Sequence, residues 1–198
     1  MKKAIVYIHG KGGNADESVF YEKFFSEYDV IGFDYKSETP WDAKKEFASY
    51  FESLSNKYSS ISIIANSIGA YFAMNALSDT KIEKAYFISP IVNMEQLIID
   101  MMKFSHVSED ELKRKGLIKT SFNETLSYKY LIWVRQNPIK WNAETSILYG
   151  SNDNMQSIET IKKFSNKHNI DLTIMEDGEH WFHTKEQMDF LTAWIKNN

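Results

Sequence analysis

The chain has 198 residues, 43% of them hydrophobic and 25% charged, which suits one soluble domain with a sizeable core. A formal net charge of −4 and the lack of a dense basic run argue against a nucleic-acid or anionic-membrane partner. Cysteine is absent, so disulfides, thiolate catalysis and cysteine-ligated metals are excluded.

Met1-Lys2-Lys3 has the basic character of a signal-peptide start, but the apolar run behind it stops at His9-Gly10. No stretch reaches transmembrane length, and a soluble cytoplasmic protein is expected. Ala4–His9 reads as a buried strand, ended by Gly10-Lys11-Gly12-Gly13. Asn14 and Glu17 form a capping pair that predicts a helix to about Tyr28. A second strand is expected over Val30–Tyr35. Thr39-Pro40 then opens a helix whose apolar face is Trp41, Phe47, Tyr50, Phe51 and Leu54. The third strand, from Ile61, feeds a helix to about Leu77, and Lys84–Pro90 is the fourth. From Met94 to Asn142 the strand–helix rhythm breaks into a mostly helical stretch, with Ser108 as a helix start and many aromatics and methionines. Alternation resumes with a strand over Ser146–Gly150, a helix from Met155 to His168, a strand over Asp171–Met175 and a helix over Lys185–Ile195. The expected fold class is α/β. It comprises one domain over residues 1–198 with a doubly wound parallel sheet of about six strands, and 94–142 as a helical, cap-like insertion after the fourth strand.

The third strand and its helix meet at Ala65-Asn66-Ser67-Ile68-Gly69. A β-branched run that turns into a helix through small residues is the setting of a nucleophile elbow, which holds a serine hydroxyl clear of the backbone. Gly69 fits the crowding there, whereas Ala65 stands where glycine is usual. The plainer reading makes Ser67 a helix cap.

In parallel α/β sheets, sites form at the carboxyl ends of the strands. The polar residues there are His9 with the glycine loop, Asp34, Ser67, Asp153 and His180. Serine, aspartate and histidine each follow a different strand. That set can do acyl chemistry, because a serine hydroxyl needs a neutral imidazole to take its proton and a buried carboxylate to hold the imidazole's tautomer. The developing oxyanion needs backbone N–H donors, one from Ile68 and a second from Lys11 or Gly12.

With these residues the chain resembles the α/β-hydrolase family over nearly its whole length. His9-Gly10 and the following glycines look like the oxyanion loop, Ser67 the nucleophile, Asp153 the acid and His180 the base. Two early strands of larger members are absent, so the resemblance is to a minimal member. It implies hydrolysis of an ester or related acyl bond through an acyl-enzyme, with no cofactor and no metal. The implied partner is a small-molecule acyl substrate, with no nucleic acid and no membrane span.

Each residue also has a plainer role. Asp153 can cap the helix near Met155, His180 can be an exposed loop histidine, and His9 can brace its loop. Lys11 reads as a solvated charge, with attraction of acidic substrates the lesser reading. The aromatics between Phe122 and Trp141 are more often core than substrate contacts. Trp133 and Trp141 are nevertheless the candidates to line a roof over the site. His183 competes with His180 as base, but Thr184 and Gln187 form a capping box that puts His183 before the cap, its ring as a staple toward Met188. Gly178 is expected to let the His180 loop bend back over the strand ends. Two readings compete with the hydrolase. Gly10–Ala15 matches G-x-G-x-x-G/A with Asp34 about 20 residues on, a dinucleotide fingerprint of an oxidoreductase. A non-catalytic binding protein on the hydrolase scaffold is the other.

Overall fold

The computed structural model describes residues 2–198; Met1, the first residue of the basic start, lies outside the described residues. Among the described residues the chain divides into two compact units, one running to Val92 and resuming over Lys140–Asn198, the other Asn93–Ile139.

The larger unit is built on six parallel strands: β1 (Lys3–Ile8), β2 (Tyr28–Phe33), β3 (Ser60–Asn66), β4 (Ala85–Ile88), β7 (Thr145–Gly150) and β8 (Asp171–Met175). Their order across the sheet is β2-β1-β3-β4-β7-β8; the number of strands and their parallel direction are as the alternating pattern anticipated. Ala4 to Ile8 and all of β7 are buried, which is why these strands read as unbroken apolar runs rather than as alternation. The register pairs Ile8 with Ala65, Asn66 with Ile88 and Ile88 with Leu148. The loops that leave these strands therefore emerge along one edge of the sheet.

Helices cover both faces. Ile5 and Tyr7 of β1 belong to a core shared with Tyr21 of α1 (Val19–Glu22) and with Leu191, Trp194 and Ile195 of α8 (Lys185–Asn197). Burying each of these large side chains stabilises the fold by roughly 1.5–3 kcal/mol before entropy is counted. On the other face Phe33 meets Phe47 of α2 (Pro40–Ser55) at 4.9 Å, and Phe47 meets Phe72 of α3 (Ile68–Ala76) at 6.4 Å. Thr39 accepts a hydrogen bond from the Asp42 N–H with Pro40 in the first turn, the cap read from the sequence. α7 (Ile158–His168) is capped by Ser157 and ends at Asn169 in the left-handed region.

The helix expected from Asn14 to about Tyr28 is much shorter. The capping box of Asn14 and Glu17 is present, but it opens a 3-10 turn, Ala15–Ser18, and α1 has only four residues. Phe24 and Phe25 then donate to carbonyls three residues back, so the helix tightens into turns.

The smaller unit holds α4 (Met94–Phe104), α5 (Glu109–Lys115), a hairpin of β5 (Leu117–Lys119) and β6 (Thr125–Ser127), and α6 (Tyr128–Gln136). Ser108 caps α5, as expected, while the hairpin is an addition to a segment that read as helical. Arg135 of α6 ties the unit together through Glu95 at 2.7 Å and a two-pronged contact with Glu109 at 2.6 and 2.9 Å. No helix among the described residues is long and apolar enough to cross a membrane.

Candidate active site

Ser67 follows β3 with φ 50° and ψ −120°, a backbone conformation that L residues rarely adopt. Its side chain makes no cap hydrogen bond to α3, which removes the plainer role considered for it. The turn is tight because its surroundings are. A Cβ at Gly69 would strike the carbonyl oxygens of His9 and Ile8, so only glycine lets α3 approach β1 this closely. Ala65 is fully buried within β3. The Ser67 N–H donates to the Ile88 carbonyl at 3.1 Å, and the Ser67 carbonyl accepts from the Ile91 N–H at 3.1 Å.

Ser67 Oγ lies 2.8 Å from His180 Nε2, and His180 Nδ1 lies 2.7 Å from Asp153 Oδ2. The Asp153 side chain is 1% exposed and that of His180 19% exposed, so the carboxylate is shielded while the imidazole stays partly open. Asp153 Oδ1 accepts from the N–H groups of Met155 at 2.7 Å and Gln156 at 3.3 Å. Asp153 thus caps a turn with one oxygen and faces the His180 ring with the other, and that turn precedes α7, whose own cap is Ser157. With Oδ1 held by two backbone donors, Oδ2 is aimed at the imidazole.

The His180 loop returns to the strand ends through a turn that differs from expectation. The positive φ falls on Asp177 at 56°, not on Gly178. Gly178 matters for space instead: a Cβ on it would sit 3.0 Å from Gly150 Cα, and its carbonyl accepts from the Asn152 N–H at 2.8 Å. The capping box of Thr184 and Gln187 is formed. His183 does not staple toward Met188. Its exposed ring stacks on Trp181 at 4.6 Å, and its Nδ1 is 2.8 Å from the Trp181 carbonyl.

The glycine loop lies against the serine, since a Cβ on Gly10 would be 3.2 Å from Ser67 Cβ. Lys11 and Gly12 line the same cavity as Ser67, and Ile68 opens α3 directly after it. His9 braces this loop. Its ring stacks on Tyr35 at 4.3 Å, and the Tyr35 hydroxyl donates to the His9 carbonyl at 2.8 Å. Asp34 is exposed and paired with Lys36 at 2.6 Å. The dinucleotide fingerprint lacks its physical basis here, because the glycine loop opens a 3-10 turn and one turn of helix rather than a helix able to hold a pyrophosphate.

The cavity has a volume of about 580 Å³, and its lining residues all belong to the larger unit. Its lining includes Tyr7, Glu17 and Asn66, side chains that the sequence reading did not assign to the site. Asn66 Nδ2 donates to the Tyr7 hydroxyl at 2.9 Å, and that hydroxyl donates to Glu17 Oε2. The one signal available was a tyrosine in an otherwise aliphatic strand. Burial, followed by the neighbouring Tyr21 and Glu17, pushes the Tyr7 hydroxyl well above the usual tyrosine value, so it stays a neutral donor.

Trp141, expected to line a roof over the site, is a core residue of the larger unit. It is 2% exposed, its Nε1 donates to Thr145 Oγ1 at 2.8 Å, and it packs on Phe87 at 5.6 Å. Trp133 lies on α6 of the smaller unit. No group of three or more histidine and carboxylate side chains among the described residues could hold a metal ion.

A six-stranded parallel sheet with helices on both faces and a serine on a strained strand–helix turn defines the α/β-hydrolase fold. Solved structures with this fold superpose on nearly all of the chain. Est1E from Butyrivibrio proteoclasticus gives a TM-score of 0.73 at 15% identity, covering 99% of this chain and 86% of its own. Alpha/beta hydrolase domain-containing protein 10 from mouse gives 0.75 at 15% identity, covering 98% and 88%. The esterase Pf2001 from Pyrococcus furiosus gives 0.60 at 17% identity, covering 99% and 78%. No family model and no curated protein matches the sequence.

Proposed function

We propose that this chain is a serine hydrolase that cleaves an ester or related acyl bond of a small molecule, with Ser67 as nucleophile, His180 as base and Asp153 as acid. The observation that carries the reading is the unbroken relay from Ser67 Oγ through the His180 ring to Asp153 Oδ2, at 2.8 and 2.7 Å. Asp153 holds His180 in the tautomer with hydrogen on Nδ1, leaving Nε2 to accept the serine proton as Oγ attacks the acyl carbon. The oxyanion takes hydrogen bonds from the N–H of Ile68 and that of Lys11 or Gly12. His180 then returns the proton to the leaving group, and water repeats the sequence on the acyl-enzyme. Removing one oxyanion donor in such a site typically lowers turnover by about 10²–10³-fold. The esterases among the structural neighbours favour the same class of reaction.

A fluorophosphonate probe tests the assignment. It should add to Ser67 alone, and Ser67→Ala should abolish both labelling and ester hydrolysis. Labelling that survives the substitution would dismiss Ser67 as the nucleophile.

A further inference from the structure

The cavity that holds Ser67 contains a carboxylate the triad does not use. Glu17, an exposed residue, is among its lining side chains, beside the largely apolar Phe20, Tyr21, Phe182, Met188 and Leu191. Its carboxylate is fixed in place. Oε2 accepts from the Tyr7 hydroxyl, Oε1 from the Asn14 N–H at 3.3 Å, and Tyr7, 1% exposed, is itself held by Asn66 Nδ2. Glu17 thus stands two hydrogen bonds away from the side chain that directly precedes Ser67.

The two structural duties of Glu17 use both carboxylate oxygens, Oε2 for the Tyr7 hydroxyl and Oε1 for the Asn14 N–H, which a glutamine with its single carbonyl oxygen cannot supply together. Gly13 points the same way. Its φ is not positive, yet a Cβ there would sit 2.9 and 3.0 Å from the two Glu17 oxygens, so glycine leaves room for the carboxylate. A carboxylate accepts at about four lone-pair sites, and two are used here. Besides Glu17, the ionisable side chains lining the cavity are Tyr7, Lys11, Tyr21 and His180, so Glu17 is the one carboxylate among its lining residues.

We propose that Glu17 makes this cavity selective for ligands bearing a primary ammonium group, their alkyl portion lying along Phe20, Phe182, Met188 and Leu191. In the hydrolase reading, on which this inference rests for its catalytic meaning, the preferred substrates are acyl compounds that carry an amine. An ammonium on an ionised acceptor makes a hydrogen bond about twice as strong as a neutral pair. A fixed acceptor also spends little ordering entropy when the ligand binds.

The experiment measures binding without turnover. Butyl-, hexyl- and octylammonium chloride, the alcohols of the same lengths and the matching carboxylates are titrated into the full-length protein by calorimetry. At one or more lengths the ammonium should bind at least about tenfold tighter than the alcohol, roughly 1.4 kcal/mol. Glu17→Gln should abolish that ratio. Gly13→Ala should abolish it too, because it keeps the charge but displaces the carboxylate. Asp16→Asn, which removes the same charge next door, should leave it intact. Equal binding of ammonium and alcohol at every length, or a ratio that survives Glu17→Gln, overturns the proposal. Tighter binding of the carboxylates also overturns it and assigns the charge preference to Lys11. Fluorophosphonate labelling of Ser67 is scored separately, so a failed nucleophile and a failed ammonium site give different results.

Discussion

Asp153→Asn separates the two duties of one carboxylate. In the native protein Oδ2 accepts from His180 Nδ1 at 2.7 Å, while Oδ1 accepts from the Met155 and Gln156 N–H groups. An asparagine that keeps its oxygen toward the two backbone donors must turn its NH₂ toward His180. The ring then accepts at Nδ1 and carries its hydrogen on Nε2, where it can no longer take the Ser67 proton. Turnover should fall by about 10⁴-fold, as in the equivalent change in a serine protease, or about 5.5 kcal/mol at about 1.4 kcal/mol per decade. Stability should change far less. Two backbone hydrogen bonds lose their charge assistance, together about 1 kcal/mol, which lowers the Tm of a chain this size by about 2–4 °C. The assay is hydrolysis of a p-nitrophenyl ester beside a thermal melt of the same preparation. Activity within tenfold of the parent, with the melt lowered as stated, would leave Asp153 as a turn cap and refute the relay.

Three further outcomes follow from the same geometry. His180→Ala should remove ester hydrolysis with little change in melting, whereas His183→Ala should keep most activity, since its exposed ring contacts Trp181 and Glu179; the opposite pattern in paired assays would exchange their roles. Trp141→Ala should destabilise the fold by about 3–5 kcal/mol in denaturant titration and leave acyl-chain preference unchanged, and a changed preference at native stability would return it to the site. At high pH, burial raises the hydroxyls of Tyr7, Tyr21, Tyr35 and Tyr71 above the ordinary value near 10. The folded state then binds more protons than the unfolded one, so stability is intact below about pH 10 and falls above it by about 1.4 kcal/mol per unit for each tyrosine. Tyrosinate absorbance and circular dichroism should change together, and tyrosines that titrate while the fold persists would contradict this.

The sheet was legible because parallel strands buried on both faces leave continuous β-branched runs, and such runs ended at polar residues where sites form. The residues of the relay were legible for the same reason, each following its own strand. What the sequence hid was tertiary. The Asn14 cap is genuine, yet nothing local says that a Cβ on Gly32 would collide with the Ala15 backbone, a contact that presses this segment onto β2 and leaves room for one helical turn. Tyr35 reads as strand, but β2 ends at Phe33 and the tyrosine leaves the sheet to hold the His9 carbonyl. Trp141 looked like other aromatics of an irregular stretch, and only its bond to Thr145 and its contact with Phe87 make it core. The Glu17–Tyr7–Asn66 chain joins residues up to 59 positions apart, beyond any local pattern.

The backbone at Ser67 has a consequence for how this scaffold drifts under mutation. A side chain held at φ 50° and ψ −120° stores strain on the order of 1–3 kcal/mol, which glycine would release. Against that, glycine forfeits about 0.5–1 kcal/mol of chain entropy and one hydrogen bond to His180 worth about 1 kcal/mol. The balance is near neutral, so no stability barrier separates a serine-bearing chain from an inert one on this fold. Random substitution therefore wears the hydroxyl away unless an activity keeps it, and on this fold a chain with the serine and one without it stand a single substitution apart.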